Sequence, residues 1–419
     1  VTSTCPHTLD GDLLPPIPTG PGTGLRARAA AVLFRRAVAR LPLRVEFPDG
    51  AVLGAGACVD TLPRMIIRDP GSFFARLGQQ GLIGFGESYT AGEWTAPDPA
   101  AVLTVLAGRL TRLIPAPLQR FRAALLPSPP AGELGTPANA RGHIEHHYDL
   151  SNELFQLFLD DSMTYSAALF EDPAEASPDL LLAAQHRKID RLLDAAGVRA
   201  GTRVLEIGSG WGELCVRAAA RGATVRSVTL SHRQLDLARI RVAAAGFEES
   251  VCVDLCDYRD IRGEYDAIVS VEMIEAVGYQ HWPVYFDRLR RLLAPGGRIA
   301  LQAITMPHDR MLATRHTYTW IQKYIFPGGF LPSTEAIADN ARASGLRVRE
   351  RYCFGDHYAE TLRLWRERFD ARAVDVTALG FDAGFRRLWQ FYLAYSEAGF
   401  RSGYLDVQQI VLDRPEGAS

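Results

Sequence analysis

Three glycines at alternate positions, Gly208, Gly210 and Gly212 in Gly-Ser-Gly-Trp-Gly, follow the apolar run Val204-Leu-Glu-Ile207 and precede Glu213 and Leu214. Glycine lets a backbone approach a ligand more closely than any Cβ permits, so a buried strand, a glycine turn and a helix start make a nucleotide cradle. The same residues also suit a strand-to-helix turn that holds nothing. The spacing narrows the ligand. It lacks the last glycine of a dinucleotide fingerprint, and no Gly-Lys-Ser/Thr follows to hold a triphosphate. A ligand without a pyrophosphate fits best, and S-adenosylmethionine is the commonest. Further on, an apolar run leads into Glu272-Met-Ile-Glu275, which carries two carboxylates.

Such a cradle needs a sheet behind it. Residues 223–231 are β-branched and end in Thr229, Leu230 and Ser231, where a ribose would lie. Most nucleotide folds place an acid there; here Gln234, one helical turn on, could supply the acceptor. A strand at 251–254 leads into Asp257-Tyr258, an acid and a ring suited to an adenine amino group and face. Another at 265–271 runs into Glu272, and a fifth at 298–304 follows the Pro295-Gly-Gly297 turn. Strands alternating with helical patterns imply βαβ units, an α/β fold and a parallel sheet with its ligand beyond the carboxyl ends.

At 419 residues the chain exceeds what one core usually supports, so two domains are expected. A 47% hydrophobic content and a net charge of -2 describe a globular protein and do not favour nucleic acid as a partner. The six cysteines, Cys5, Cys58, Cys215, Cys252, Cys256 and Cys353, are scattered, as free thiols in a reducing cytoplasm would be. His143 and His147 stand at i, i+4 beside His146, but no acid or further ligand accompanies them. A hydrogen-bonded structural role is favoured and no metal is expected. With no signal-peptide pattern and no apolar run of about 18 residues, the protein is expected to be soluble or to sit on a surface.

Turn residues at 127–140 mark a linker between an N-terminal domain, 1–126, and a larger one, 141–419. Before it, a helix is expected from Leu25 to Leu41, then a strand from Leu43 to Phe47. The region before Arg141 holds thirteen arginines and no lysine against ten acids. Arg26, Arg28, Arg35, Arg36, Arg40 and Arg44 form one run; Arg109, Arg112, Arg120 and Arg122 form another, interleaved with apolar residues. Either run could dock on anionic lipid headgroups, or be a solvated helix face.

Several motifs together resemble the cyclopropane fatty acid synthase family of S-adenosylmethionine-dependent lipid methyltransferases. They are Gly86-Glu-Ser-Tyr-Thr-Ala-Gly-Glu-Trp94, His147-Tyr-Asp-Leu-Ser-Asn152, Tyr165-Ser166, Gly208 to Gly212, Val228-Thr-Leu-Ser231 with Gln234, Asp257-Tyr-Arg-Asp260, Ile268 to Glu275, and Trp320-Ile-Gln-Lys-Tyr-Ile-Phe-Pro327. The resemblance implies a Rossmann-like class I methyltransferase with a central mostly parallel sheet, preceded by a smaller α+β domain. Its cofactor contacts would be Tyr165, Ser166, Gly208, Gly210, Thr229, Leu230, Gln234, Asp257 and Tyr258. It also implies methylation of the cis double bond of an acyl chain, with a bicarbonate ion beside the alkene; Glu275 and Tyr358 match two of its contacts. The substrate or bicarbonate pocket would draw on Ala167, Gln302, Ile304, Tyr318, Trp320 and Tyr324.

Two residues depart from that pattern. Ala167 stands where the family usually has Cys, and Gln302 where it usually has His. The bicarbonate site could survive these changes if the two positions contribute backbone N–H groups. Closer still, segments 270–278, 303–314, 357–369 and 395–404 resemble the actinobacterial methyltransferases of 10-methyl branched fatty acid synthesis. That likeness implies an oleoyl phospholipid as substrate and a 10-methylene acyl chain as product, saturated by a separate flavin-dependent reductase. The enzyme would work in the cytoplasm at the inner face of the membrane; its oligomeric state stays open.

The chemistry explains why such a site needs few polar groups. An alkene has no proton to remove before it attacks, so positioning dominates and can contribute about 7–11 kcal/mol. The carbocation that follows must be kept from water, and each aromatic face can stabilise it by about 0.5–2 kcal/mol. Tyr165, Tyr318, Trp320, Tyr324, Phe326 and Tyr358 could serve, or could simply be core. Direct proton loss closes a cyclopropane, whereas a hydride shift before proton loss gives a methylene. Glu275, alone or through bicarbonate, is the expected base, positioned by Tyr358; Glu272 reads rather as a helix-start carboxylate paired with an arginine. Three readings follow: a methylene-forming lipid methyltransferase, a cyclopropane synthase on the same chains, and a non-catalytic lipid-binding protein on a vestigial methyltransferase fold.

Overall fold

The computed structural model describes residues 14–20, 22–56, 61–109 and 151–415. The expected linker at 127–140, the three histidines at 143–147 and the basic run from Arg112 onward lie outside the described residues. The described chain divides into two compact units. One takes the residues before 110 together with Thr317–Lys323 and Trp365–Ser402, and the other takes most of the remainder.

The first unit is built on a small sheet of order β2-β1-β3-β4, from β1 (Arg44–Glu46), β2 (Val52–Leu53), β3 (Arg64–Ile67) and β4 (Trp94–Thr95). Alternation drives β1: Leu43, Val45 and Phe47 are buried, while Arg44 and Glu46 pair on the other face at 2.8 Å. Proline at the first helical position and an aspartate cap start the helices Pro70–Gln80 and Pro99–Ala107. The late helix Ala383–Arg401 completes the core. Its Phe391 meets Phe85, Tyr89, Trp94 and Trp320.

The 86–94 motif serves this unit structurally. A Cβ at Gly86 would come within 2.4 Å of the Trp320 ring. Glu87 is fully buried and takes Lys323 Nζ at 2.6 Å, and Arg76 Nε binds Glu93 at 2.9 Å with both side chains buried. Trp94 Nε1 donates to Phe85 O at 3.1 Å.

The second unit carries seven strands: β5 (Arg203–Ile207), β6 (Thr224–Thr229), β7 (Val251–Leu255), β8 (Tyr265–Val271), β9 (Leu293–Thr305), β10 (Arg347–Cys353) and β11 (Asp406–Asp413). Their order is β10-β11-β9-β8-β5-β6-β7. Strands β5 to β9 pair in parallel, and β11 runs antiparallel between β9 and β10. The five strands expected from the sequence are all present; β10 and β11 extend the sheet. Helices Leu181–Ala195, Glu213–Ala220 and His232–Ala244 contribute to one apolar core, Trp282–Leu292 and Thr334–Ala343 to another. Strand order reverses at β5, between β6 and β8, so a crevice opens at the carboxyl ends of these strands.

The Arg76–Glu93 pair sets a stability test. Burial pushes the Glu93 carboxyl up and Arg76 opposes that shift. Removing one partner of a buried pair costs about 3–5 kcal/mol, the loss expected for Arg76→Met in urea unfolding at pH 7. Glu93 then binds its proton more tightly in the folded than in the unfolded chain, so the deficit should shrink as pH falls toward 5. A deficit independent of pH would show that the network does not hold the charge.

Candidate active site

A cleft enclosing about 1070 Å³, part of it open to solvent, lies at the switch point. The cradle glycines all have left-handed backbone, with φ of 95° at Gly208, 48° at Gly210 and 97° at Gly212. Gly212 caps the helix Glu213–Ala220, and a Cβ there would reach Ala238 Cα at 3.1 Å, so it serves helix packing. Gly210 differs: a Cβ on it would meet no protein atom within 4 Å. Its backbone is bare toward the cleft that it lines.

Tyr165, Ser166, Gly208, Gly210, Thr229, Leu230, Gln234 and Tyr258, all expected to touch the cofactor, line this cleft. Tyr165 packs edge-on against Phe155, which meets Trp211 at a tilt, and Trp211 Nε1 donates to Asn152 at 2.8 Å. Thr229 Oγ1 donates to Gln234 Oε1 at 2.9 Å, so the two act as one polar unit at the end of β6. Asp257 is held by a near neighbour. Its carboxylate binds the Arg259 backbone N–H and guanidinium, which hold it below the usual range against the effect of burial, and the cleft is lined instead by Cys256 and Tyr258. Thr229, Gln234 and Tyr258, expected at ribose and adenine, line the cleft together with the glycine cradle.

The acids that follow β8, of which Glu272 lines the cleft, have other partners than the sequence suggests. Glu272 Oε1 accepts from Ala167 N at 3.0 Å and from Gln302 Nε2 at 2.8 Å, and Oε2 accepts from Tyr358 Oη at 2.7 Å. Tyr358 was expected on Glu275, and Glu272 on an arginine. The reason lies in the backbone: Glu272 has φ of 51°, pinned by its N–H to Gln302 O at 2.8 Å, and its side chain enters this ring of donors. Its counter-charge is Lys188, fully buried on the helix Leu181–Ala195, whose Nζ donates to Ser166 Oγ at 2.6 Å.

Glu272 and Glu275 keep some residue surface, yet both carboxyl groups are desolvated. Burial raises the Glu272 carboxyl, and Lys188 and the three donors oppose the rise. Glu275 Oε1 accepts from Ile304 N at 2.6 Å, and its Oε2 has no hydrogen-bond partner among the described residues. Burial, aided by the Glu272 charge, pushes Glu275 up to about 8. Burial lowers Lys188 to about 8 and raises Glu206, whose carboxylate takes Ser227 Oγ at 2.5 Å, to about 8.

Lys188, Glu206, Trp211 and Met273 also line the cleft and were not singled out from sequence. Lys188 and Gln185 carried a signal: they are polar residues on the buried face of an otherwise apolar helical stripe. Of the expected acyl-chain aromatics, Tyr318 and Trp320 fall in the first unit, where Trp320 packs on Phe391. Tyr324 belongs to the second unit and is not among the cleft residues.

A parallel sheet with one reversed strand near its edge, and a bare glycine cradle where strand order reverses, define a class I S-adenosylmethionine-dependent methyltransferase. The family profile described as mycolic acid cyclopropane synthetase matches residues 136–410, and the chain belongs to that family. It is 56% identical over 414 residues to the tuberculostearic acid methyltransferase UfaA1 of Mycobacterium tuberculosis, covering 97% of this chain and 96% of the relative. It is 33% identical over 352 residues to the cyclopropane-fatty-acyl-phospholipid synthase of Escherichia coli K12, covering 83% and 87%. The solved mycolic acid cyclopropane synthase CmaA1, complexed with SAH and CTAB, matches with a TM-score of 0.60 and 32% identity, over 65% of this chain and 97% of that one.

The cradle fits S-adenosylmethionine at the bare Gly210 backbone. Gly210→Val places a β-branched side chain at φ of 48° and fills that space. Calorimetry should show affinity for S-adenosylmethionine falling roughly 100-fold or more with the far-UV spectrum unchanged. Unchanged affinity would refute the cradle.

Proposed function

We propose that this chain methylates the cis double bond of an oleoyl chain in a phospholipid and releases a 10-methylene acyl chain, the precursor of 10-methyl branched (tuberculostearic) fatty acid. The observation that carries this reading is the 56% identity to a tuberculostearic acid methyltransferase across nearly the full length of both chains. Bound S-adenosylmethionine supplies the methyl group, whose bond to sulfur breaks as the alkene π pair closes on it. The chain's own residues then keep a carbocation dry and remove one proton. The desolvated Glu272 and Glu275 carboxyls at the end of β8 support a proton-accepting role for this segment, and Tyr358 Oη donates to Glu272. A separate flavin-dependent reductase is the partner that would consume the methylene.

Cyclopropane formation on the same acyl chain is the second reading, favoured by the likeness to the E. coli synthase. The two products share a mass, so proton NMR decides. With oleoyl phospholipid and S-adenosylmethionine, and no reductase, the purified enzyme should give a terminal-alkene signal and no upfield cyclopropane signal. Adding a flavin-dependent reductase and a reductant should then raise the mass by two hydrogens. A cyclopropane resonance as the main product would replace the first reading with the second.

Reaching a phospholipid requires contact with a membrane. No helix among the described residues is long and apolar enough to cross one. We assign the contact to the N-terminal region, on the inner face of the membrane. The helix Thr23–Val38 carries Arg26, Arg28, Arg35 and Arg36, with Leu25 75%, Val32 50% and Leu33 46% exposed. Liposome flotation should show binding to anionic vesicles at low ionic strength that weakens with salt. Binding indifferent to salt, or none, would leave the run a solvated helix face.

A further inference from the structure

The resemblance implies a bicarbonate ion beside the alkene, with Ala167, Gln302 and Tyr358 at positions expected around it. A carboxylate and a bicarbonate share a planar O–C–O end that accepts hydrogen bonds through both oxygens. Here Ala167 N, Gln302 Nε2 and Tyr358 Oη all donate to the Glu272 carboxylate, at 3.0, 2.8 and 2.7 Å. The Ala167 backbone N–H, which could have held bicarbonate without a cysteine side chain, is engaged by Glu272 as well. A second anion on these donors would lie against Glu272 in a desolvated site, where like charges are strongly disfavoured.

We propose that the Glu272 carboxylate is the base of this enzyme and a tethered replacement for bicarbonate, so that turnover needs no bicarbonate. The inference rests on methyl transfer to an acyl alkene, as proposed above. Two independent features of the chain support it beyond the donor set. The backbone at Glu272 is held at φ of 51°, a conformation that costs a side-chain-bearing residue about 1–3 kcal/mol and that persists only where the surroundings enforce it. Lys188 is buried close enough to stabilise the Glu272 charge and is turned to Ser166 at the edge of the cofactor cleft.

Glu275, the base expected from sequence, has one oxygen on Ile304 N and, among the described residues, no cationic partner, and burial beside Glu272 pushes its carboxyl up to about 8. The charge thus rests on Glu272. After the hydride shift, the C–H pair of the new methyl becomes the π bond of the methylene and its proton passes to a Glu272 oxygen. The neutral carboxylic acid returns that proton to solvent before the next turnover. No oxidant or reductant is required.

Glycine adopts the φ of 51° without strain, so Glu272→Gly removes the carboxylate while keeping the turn and leaves a carboxylate-sized gap on the three donors. In buffer stripped of carbon dioxide, the wild-type enzyme should methylate oleoyl phospholipid at a rate unchanged by added bicarbonate. Glu272→Gly should bind S-adenosylmethionine normally, lose roughly 100-fold or more in turnover, and recover it saturably with bicarbonate or formate. Glu272→Gln keeps the shape without the charge; it should keep cofactor affinity, lose turnover to a similar extent and resist rescue.

Wild-type stimulation of several-fold by bicarbonate, or near-normal turnover of either variant in stripped buffer, would overturn the assignment. Glu272→Gly that stays inactive with either anion would also overturn the replacement. A wild-type enzyme that binds S-adenosylmethionine but methylates no lipid would instead overturn the functional reading on which the inference rests.

Discussion

A carboxylate taken out of water must find its charge and its lone pairs answered from inside the protein, or it takes up a proton. The floor of the cleft is organised by this constraint. Glu272 is answered by one buried ammonium, one backbone N–H, one amide and one phenol, drawn from four separate parts of the chain. Each donor is itself held. Lys188 sits in the buried stripe of a helix, Gln302 in β9 beside Gln409 of β11, and the Ala167 loop is tied through Ala168 N to Thr361 at 3.1 Å. The reversed strand β11 thus helps to fix the Glu272 carboxylate through Gln302.

Cofactor and proton acceptor meet because the sheet changes direction at β5. The glycine cradle follows β5, the Thr229–Gln234 pair follows β6 and the acids follow β8, so three strand ends converge on one crevice. The crevice needs few charged groups for the methyl transfer itself, since an alkene attacks without prior deprotonation. Its charges are concentrated where a proton has to leave. Glu275 stays neutral beside Glu272, an arrangement in which two neighbouring acids are pushed toward different protonation states.

Lysine use reinforces the point. The chain has only two lysines, Lys188 and Lys323, among 46 basic residues, and each lies by a buried glutamate. Arginine meets most other needs, as in the Arg217–Asp190 and Arg347–Asp413 pairs near the surface. A lysine is a compact charge on a flexible stem, which fits a narrow buried position better than a planar guanidinium does. In the first unit Lys323 answers Glu87 and Arg76 answers Glu93, so the 86–94 motif stabilises the fold of that unit.

The sequence by itself determined the parallel sheet, the cradle and several of the residues that line the cleft, because these depend on local signals: a β-branched run, a glycine at a left-handed turn, a hydroxyl at a strand end. Gly210 and the Thr229–Gln234 pair were legible for that reason. Tertiary structure alone decided the roles of the two acids. Glu272 and Glu275 are three residues apart in one segment, and nothing local distinguishes which will meet Lys188, some 84 positions earlier, or Tyr358, some 86 later. Asp257 shows the converse, since its carboxylate is held by a neighbour only two residues away, Arg259. The fold also decided that Trp320 and the helix Ala383–Arg401 complete the N-terminal unit, a partnership across nearly 300 residues that only side-chain packing could select.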